Sequence, residues 1–230
     1  GADVAEGDRL LFLNADVRVG SDALSRCLQA LQTEPTVGAV TCRLVRPDGR
    51  LDHAAHRGLP TPSASFAYKL RLDRLAPGSR RLSRYRMAWL DPETDHDIEA
   101  CSGAFLMTRR DILEAAGGWD ERYRFYAEDL DLCLRIGLGG HRVRYLGSVS
   151  STHLKGAFSG LGDSRDRDPE RDATRRRVKR EIVASHRLFF EEHLRATTSP
   201  LTTLAIRLMF TLQRLQRDAA DRLARSSPGT

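Results

Sequence analysis

Four cysteines in 230 residues, Cys27, Cys42, Cys101 and Cys133, are too widely spaced for any C-x-x-C pair. Nothing therefore marks a zinc or dithiol site, and buried free thiols in a reducing cytoplasm are expected. No run of 18 apolar residues occurs, so no segment reads as a membrane span. No signal peptide opens the chain, and no internal repeat is visible. A net charge of +6 comes without a helix-turn-helix, RNA-recognition or zinc pattern, so nucleic acid is not an expected partner. The first residue is Gly1 rather than Met, and an apolar strand begins by Leu10. Both point to a missing N-terminal portion.

What is present suffices for a core: 40% of residues are hydrophobic and 30% charged. The length suits one large domain, or one domain with an appendage. Basic residues cluster at Arg80-Arg81, Arg175-Arg176-Arg177 and Lys179-Arg180. Such runs attract anions such as anionic lipid or sugar phosphates, and they also serve simply as solvated helix faces.

Leu10-Leu11-Phe12-Leu13 is a continuous apolar run and predicts a strand buried on both faces, as in a parallel sheet. It ends in Asn14-Ala15-Asp16, where strand alternation would point Asn14 and Asp16 to one side. Ligands of open α/β sheets bind at the carboxyl ends of strands, so Asp16 is placed to hold Mg²⁺ or Mn²⁺ against a diphosphate. A turn or helix cap is the plainer use of the same triplet. Ser21 to Thr33 predicts a helix capped by Ser21, with Leu24, Leu28 and Leu31 on one face and Pro35 as its stop. Val37 to Val45 predicts a second strand, closed by a turn at Pro47-Asp48-Gly49.

Residues 57–97 carry four prolines and little periodicity, which suggests a functional loop or a mobile insertion. Ile98 to Thr108 predicts a strand in which Gly103 allows close approach. A short helix then ends at Gly117-Gly118, and Trp119, Tyr123, Phe125 and Tyr126 line an aromatic turn. Glu128, Asp129 and Asp131 open the next helix, with Leu130, Leu134 and Leu138 at four-residue spacing and Asp131 paired to Arg135. Acidic residues in a first turn suit the helix dipole, and beside aromatics they also make a sugar-sized pocket holding a base. Arg142 to Leu146 predicts a strand that continues to a lone histidine, His153. A glycine-bearing charged loop follows at 156–172, then a helix from Asp172 to Leu194. Leu201 to Leu223 predicts a second amphipathic helix with Leu204, Leu208, Leu212 and Leu215 on one face. That face can pack on the domain, pair with another copy as a homo-oligomer, or lie on a membrane surface.

From Leu10 to Leu194 these motifs together resemble glycosyltransferase family 2, in its rhamnosyltransferase- and galactofuranosyltransferase-like branch. Leu11 to Asp16 looks like the strand ending in the family's metal-binding D-x-D variant. Ser102 to Leu106, followed by Gly117 to Glu121, looks like the acceptor-side strand and turn. Glu128-Asp129-Leu130-Asp131-Leu132-Cys133-Leu134-Arg135 looks like the family's E-D-x-D-L-x-x-R helix start.

The resemblance implies an α/β, GT-A, Rossmann-like layered sheet with C-terminal helices. It implies an inverting, metal-dependent enzyme that moves a rhamnose- or galactofuranose-like sugar from a nucleotide-diphosphate donor to a cell-surface glycan or lipid-linked acceptor. Asp129 would be the general base, with Glu128 beside it. Asn14 and Asp16 would contact the donor, and Asp16 and His153 would hold Mg²⁺ or Mn²⁺. Gly103, Trp119 and Asp120 would shape the acceptor pocket. The implied layout is a partial catalytic domain over 1–155, a mobile charged loop over 156–172 and amphipathic helices over 173–230, in the cytoplasm at the inner face of the membrane. About 80 residues of a usual member, the size of a βαβαβ nucleotide-binding unit, have no counterpart. That departure leaves a second expectation open: a noncatalytic remnant that binds a glycan or a partner protein.

Overall fold

The computed structural model describes residues 2–154 and 169–226. The loop expected over 156–172 therefore lies outside the described residues up to 168, and 169–172 begin a helix. The chain forms two compact units, Gly1–Asp120 with Asp129–Lys155, and Glu121–Glu128 with Gly156–Thr230.

The first unit is built on a mixed six-stranded sheet with helices, the layered α/β class expected. Its strands are β1 (Arg9–Leu13), β2 (Val17–Arg18), β3 (Val37–Val45), β4 (His96–Ile98), β5 (Phe105–Arg109) and β6 (Arg142–His153). They run in the order β1-β5-β3-β6-β2, with β4 also paired to β6. Only β3 and β6 pair in parallel; every other pairing is antiparallel. The expectation of a doubly buried, parallel Leu10–Leu13 strand is thus corrected: β1 is an edge strand antiparallel to β5, and only Leu10 in it is buried. A short apolar run carries no information about the direction of its partner.

β3 is the doubly buried strand. Its first six residues, Val37 to Cys42, are all buried, and α1 (Ala23–Thr33) packs Ala23, Cys27, Ala30 and Leu31 into the same core. The buried face of α1 is therefore rotated from the one expected: Leu24 is exposed, and Asp22 rather than Ser21 is the N-cap. β3 shares only two ladder positions with β5. Two buried threonines extend that join: Thr41 Oγ1 donates to the Phe105 carbonyl at 2.7 Å and Thr108 Oγ1 to the Gly38 carbonyl at 2.6 Å. All four cysteines are free and buried, as expected.

β6 is irregular where it matters. Its register against β3 jumps between Leu146 and Ser150. Past that bulge β6 takes β2 as a partner, with Val17 opposite His153. The approach depends on Gly20, where a Cβ would lie 2.0 Å from the Ser150 carbonyl oxygen. Because β1 and β3 are both antiparallel to β5, and β3 is parallel to β6, the carboxyl ends of β1, β3 and β6 share one end of the sheet.

Residues 57–97 are structured rather than patternless. Thr61 caps α2 (Pro62–Lys69) by accepting from the Ala64 amide, and α3 (Leu72–Leu75) follows. The carboxylate of Asp73, buried, pairs with Arg86 at 3.0 Å. His56 and His96 meet through their Nε2 atoms at 2.8 Å, against the ring of Tyr145. Helices α4 (Arg110–Ala115) and α5 (Glu128–Leu138) complete this part of the chain.

In the second unit α6 (Pro169–Phe189) runs into a π-helical turn (Phe190–Leu194) and then α7 (Pro200–Ser226). Glu191 binds the Arg207 guanidinium through both oxygens, at 2.8 and 2.6 Å, and Phe190 faces Phe210. Ser185 Oγ donates to the Phe125 carbonyl at 2.9 Å and so ties the turn at 121–128 to α6. The leucine face of α7 is the outer one: Leu201, Leu204, Leu208, Leu212 and Leu215 are each more than half exposed.

His56 gives a pH prediction. Burial first, then the neighbouring His96, pushes its pKa down to about 4. The unfolded chain binds this proton from about pH 6.5 downward, while the folded chain resists it until about pH 4. Stability is therefore full above pH 6.5 and falls as the pH drops through that window, by on the order of 3 kcal/mol. Urea unfolding at pH 7 and pH 4.5 measures the fall, and His56→Gln should flatten it.

Candidate active site

Two glycines and a strained pair set up the turn before α5. Gly117 and Gly118 close α4 at φ 80° and 71°, conformations that an L side chain rarely adopts. Tyr126 and Ala127, with φ 65° and 70°, are left-handed without being glycine. Such residues cost on the order of 1 kcal/mol or more each and collect at functional sites. The helix they deliver buries Asp129, Leu130, Asp131, Leu132, Cys133 and Ile136. Leu138, expected on that face, is exposed instead. The expected Asp131–Arg135 pair is present, with Arg135 Nε 2.9 Å from Asp131 Oδ2. Arg135 also donates to the Ala116 carbonyl and so braces α5 against the end of α4.

Asp129 is held by three donors. Its Oδ1 accepts the Leu130 amide at 2.8 Å. Its Oδ2 accepts the Gly103 amide at 3.3 Å and Arg57 Nη2 at 2.8 Å. Gly103 thus enters the site through its N–H. It lies in a turn between β4 and β5, not inside the single strand expected over 98–108, because Ser102 and Gly103 interrupt the ladder. Trp119 lies beside Gly103, where a Cβ would be 3.5 Å from its ring, and stacks edge-on against Phe12 at 4.9 Å. Its indole N–H is buried without a hydrogen-bond partner among the described residues, a donor that a ligand oxygen would satisfy. Asp120 and Glu128 are half-buried, one after Trp119 and the other at the first position of α5.

Asp16 and His153, proposed partners from the sequence, are brought together by the β2–β6 pairing. Both are buried, and His153 Nε2 lies 3.3 Å from Asp16 Oδ1. Asn14 does not join them. β1 ends at Leu13, so strand alternation stops there: the chain turns, the Asn14 carbonyl accepts the Val17 amide, and the Asn14 side chain is exposed. The Asn14 amide binds the Ala104 carbonyl at 3.0 Å, which joins this turn to the one holding Asp129.

The other face of His153 is occupied by Asp52, buried, whose Oδ2 is 2.7 Å from Nδ1. With Nδ1–H donated to Asp52, Nε2 presents a lone pair to Asp16 Oδ1. Two acceptors at that distance are held together only by a shared cation, a proton or a metal. Two ligands at about 2.1 Å from one ion, at a right angle, lie about 3 Å apart, so the pair fits a divalent cation. Among the described residues no group of three or more His, Cys, Asp or Glu converges to hold a metal. The remaining positions would fall to phosphate and water, the usual arrangement for Mg²⁺.

Arg57 and Asp52 were not found by sequence reasoning. Asp52 lies 101 residues from His153 and within no motif. Its only signal is that it ends the return from the turn at 47–49, where its amide binds the Leu44 carbonyl and places it at a strand end. Arg57 sits in the segment with no periodicity, and nothing marks it.

A family model described as glycosyl transferase family group 2 matches residues 10–213. An N-acetylglucosaminyl-diphospho-decaprenol L-rhamnosyltransferase of Mycobacterium tuberculosis is 30% identical over 153 residues, which is 66% of this chain and 49% of that protein. Rhamnosyltransferase WbbL of Escherichia coli is 26% identical over 65% of this chain and 53% of its own length. The O-antigen biosynthesis protein RfbC of Myxococcus xanthus is 32% identical over 62% of this chain and 10% of its own. The chain thus spans about half the length of the two rhamnosyltransferases it matches. A solved structure, GalNAc-T7 with UDP, GalNAc and Mn²⁺, aligns at a TM-score of 0.46 and 13% identity, over 79% of this chain and 33% of that one. The family match runs from within β1 through β6 and every residue assigned above to about the middle of α7, and the chain belongs to glycosyltransferase family 2.

Proposed function

We propose that the protein takes part in inverting transfer of a rhamnose- or galactofuranose-like sugar from a nucleotide-diphosphate donor to a glycan or lipid-linked acceptor. The observation that carries this reading is Asp129: a buried carboxylate, fixed by three donors, at the same end of the sheet as the Asp16–His153 pair. A sugar hydroxyl is a weak nucleophile, and a positioned carboxylate accepts its proton as the new bond forms. Trp119 offers a flat apolar wall and one donor to the acceptor ring. A divalent ion held by Asp16 and His153 would supply positive charge against the leaving diphosphate. Asp52 fixes the tautomer and direction of His153, leaving Nε2 as the ligating nitrogen. The names of the rhamnosyltransferases similar to this chain support the sugar, and the decaprenol in one of them supports a lipid-linked acceptor. For such an acceptor, the outward leucine stripe of α7 would meet the membrane surface; no described helix is long and apolar enough to cross it.

Asp129→Asn should lower transfer by about 10²–10⁴-fold with donor affinity unchanged, the usual contribution of a general base. Near-normal turnover would remove Asp129 from the mechanism. For the metal pair the readout is Mn²⁺ binding followed by electron paramagnetic resonance, independent of turnover. Asp16→Ala and His153→Ala should abolish it, and Asp52→Asn should weaken it by about 10–100-fold. Unchanged Mn²⁺ affinity in all three would sink the metal assignment.

A further inference from the structure

The charge facing Asp129 comes from a residue outside every motif. Arg57 is anchored by its backbone, which exchanges both hydrogen bonds with Ala100, at 3.3 and 3.0 Å. The next two residues are clamped as well: the Gly58 amide binds the Tyr85 carbonyl at 2.9 Å, and the Leu59 amide binds Glu99 at 2.7 Å. At Gly58 a Cβ would stand 2.3 Å from the Arg84 carbonyl oxygen, so the strand-like segment and the 84–85 turn are in close contact. The Arg57 side chain is thereby delivered, 12% exposed, onto Asp129 Oδ2. Burial alone would make this guanidinium easier to deprotonate; the Asp129 charge, followed by the Tyr85 hydroxyl, more than offsets that and keeps it a permanent cation.

Asp129 has four lone-pair positions on its two oxygens. The amides of Gly103 and Leu130 and the Arg57 guanidinium occupy three. One remains, on Oδ1. Among the described residues, the ionisable groups that interact with this pair include Tyr85 and the thiols of Cys101 and Cys133, and Glu128 is next in the chain. The thiol of Cys101 is pushed up first by its contact with Cys133 and then by burial, and so adds no charge. Arg57 is the cation among them.

We propose that Arg57 is the positioning residue of the base: by occupying Oδ2 it holds the Asp129 carboxylate in place and leaves Oδ1 as the atom that receives the acceptor's proton. The balance is simple. The acceptor O–H bond breaks and its proton moves to Oδ1 while Arg57 stays charged on Oδ2; a lone pair of the acceptor oxygen forms the new C–O bond at the sugar as the bond from that carbon to the diphosphate oxygen breaks, and its electron pair leaves with the diphosphate. The proposal rests on the transferase reading for its chemistry, but the pairing itself can be measured without turnover.

The decisive experiment reads the pairing from the carboxyl ¹³C signal of Asp129 at pH 7 in the 230-residue chain, assigned by its loss in Asp129→Asn. Arg57→Gln should displace that signal, and Arg57→Lys, which keeps a charged donor, should recover most of the displacement. A signal unchanged in Arg57→Gln overturns the proposal. In a preparation active in transfer, Arg57→Gln should lower kcat by up to about 10²-fold with donor KM unchanged, and Arg57→Lys should recover most of it. Should Arg57→Gln fail to fold, a folded Arg57→Lys that loses kcat in full overturns the role of the charged donor. Absence of transfer in the unmodified protein counts against the transferase reading, and the carboxyl signal still decides Arg57.

Discussion

The parallel pairing of β3 with β6 is the constraint on which the candidate site depends. It forces the carboxyl ends of two buried strands side by side, and β1 joins them because both β1 and β3 run against β5. Asp52, just past the turn that follows β3, then meets His153 at the end of β6. Asp16, just past β1, reaches His153 only because the bulge in β6 leaves a strand end for β2 to pair with. Gly103 and Asp129 arrive at the same end because Gly103 precedes β5, whose first residue lies opposite the last of β1. Ligand sites at the carboxyl ends of α/β sheets are general; here the antiparallel strands do not disturb the rule, because the strands that carry the chemistry still point the same way.

Buried charge is concentrated at that end. A buried ion pair is weak support for stability, since desolvation offsets most of its attraction, yet breaking one partner leaves an uncompensated charge. Arg57–Asp129 is such a pair, and His153 between two carboxylates is a second concentration of charge. Such a concentration fits a site selected for chemistry rather than for folding.

The sequence made much of this legible and hid the rest for physical reasons. β3, α1 and α5 announce themselves through their apolar patterns and stop signals, although the cap and buried face of α1 differ from those the spacing predicts. Asp16 and Asp129 fall in short local patterns, whereas His153 is a lone histidine at the end of an extended segment and is marked only by the resemblance. Pairing direction is not encoded in a strand's own residues, so β1 read as parallel. Strand alternation predicts Asn14 beside Asp16, but the chain turns after Leu13, and alternation holds only within a strand. The stripe Leu204 to Leu215 leaves packing on the domain, pairing with a copy and membrane contact open, because it shows amphipathicity but not which neighbour covers it; in the structure it is exposed, and Ile206, Met209 and Phe210 are the less exposed side. Asp52 and Arg57 act on residues far along the chain, and a single sequence holds no signal for such pairs.

The cysteines have a practical consequence. All four lie in the sheet-bearing unit and none in residues 121–128 or 156–230. Each is buried, and burial pushes the thiols of Cys27 and Cys42 upward, which suppresses the reactive thiolate. A thiol-selective reagent then reacts only when the surroundings of a cysteine open. Its labelling rate is a built-in clock for that opening. The sites also report different places: Cys27 and Cys42 sit in the core between α1 and β3, while Cys101 and Cys133 touch each other behind Asp129. Mass spectrometry of the order in which they are labelled would resolve which side of the fold lets go first.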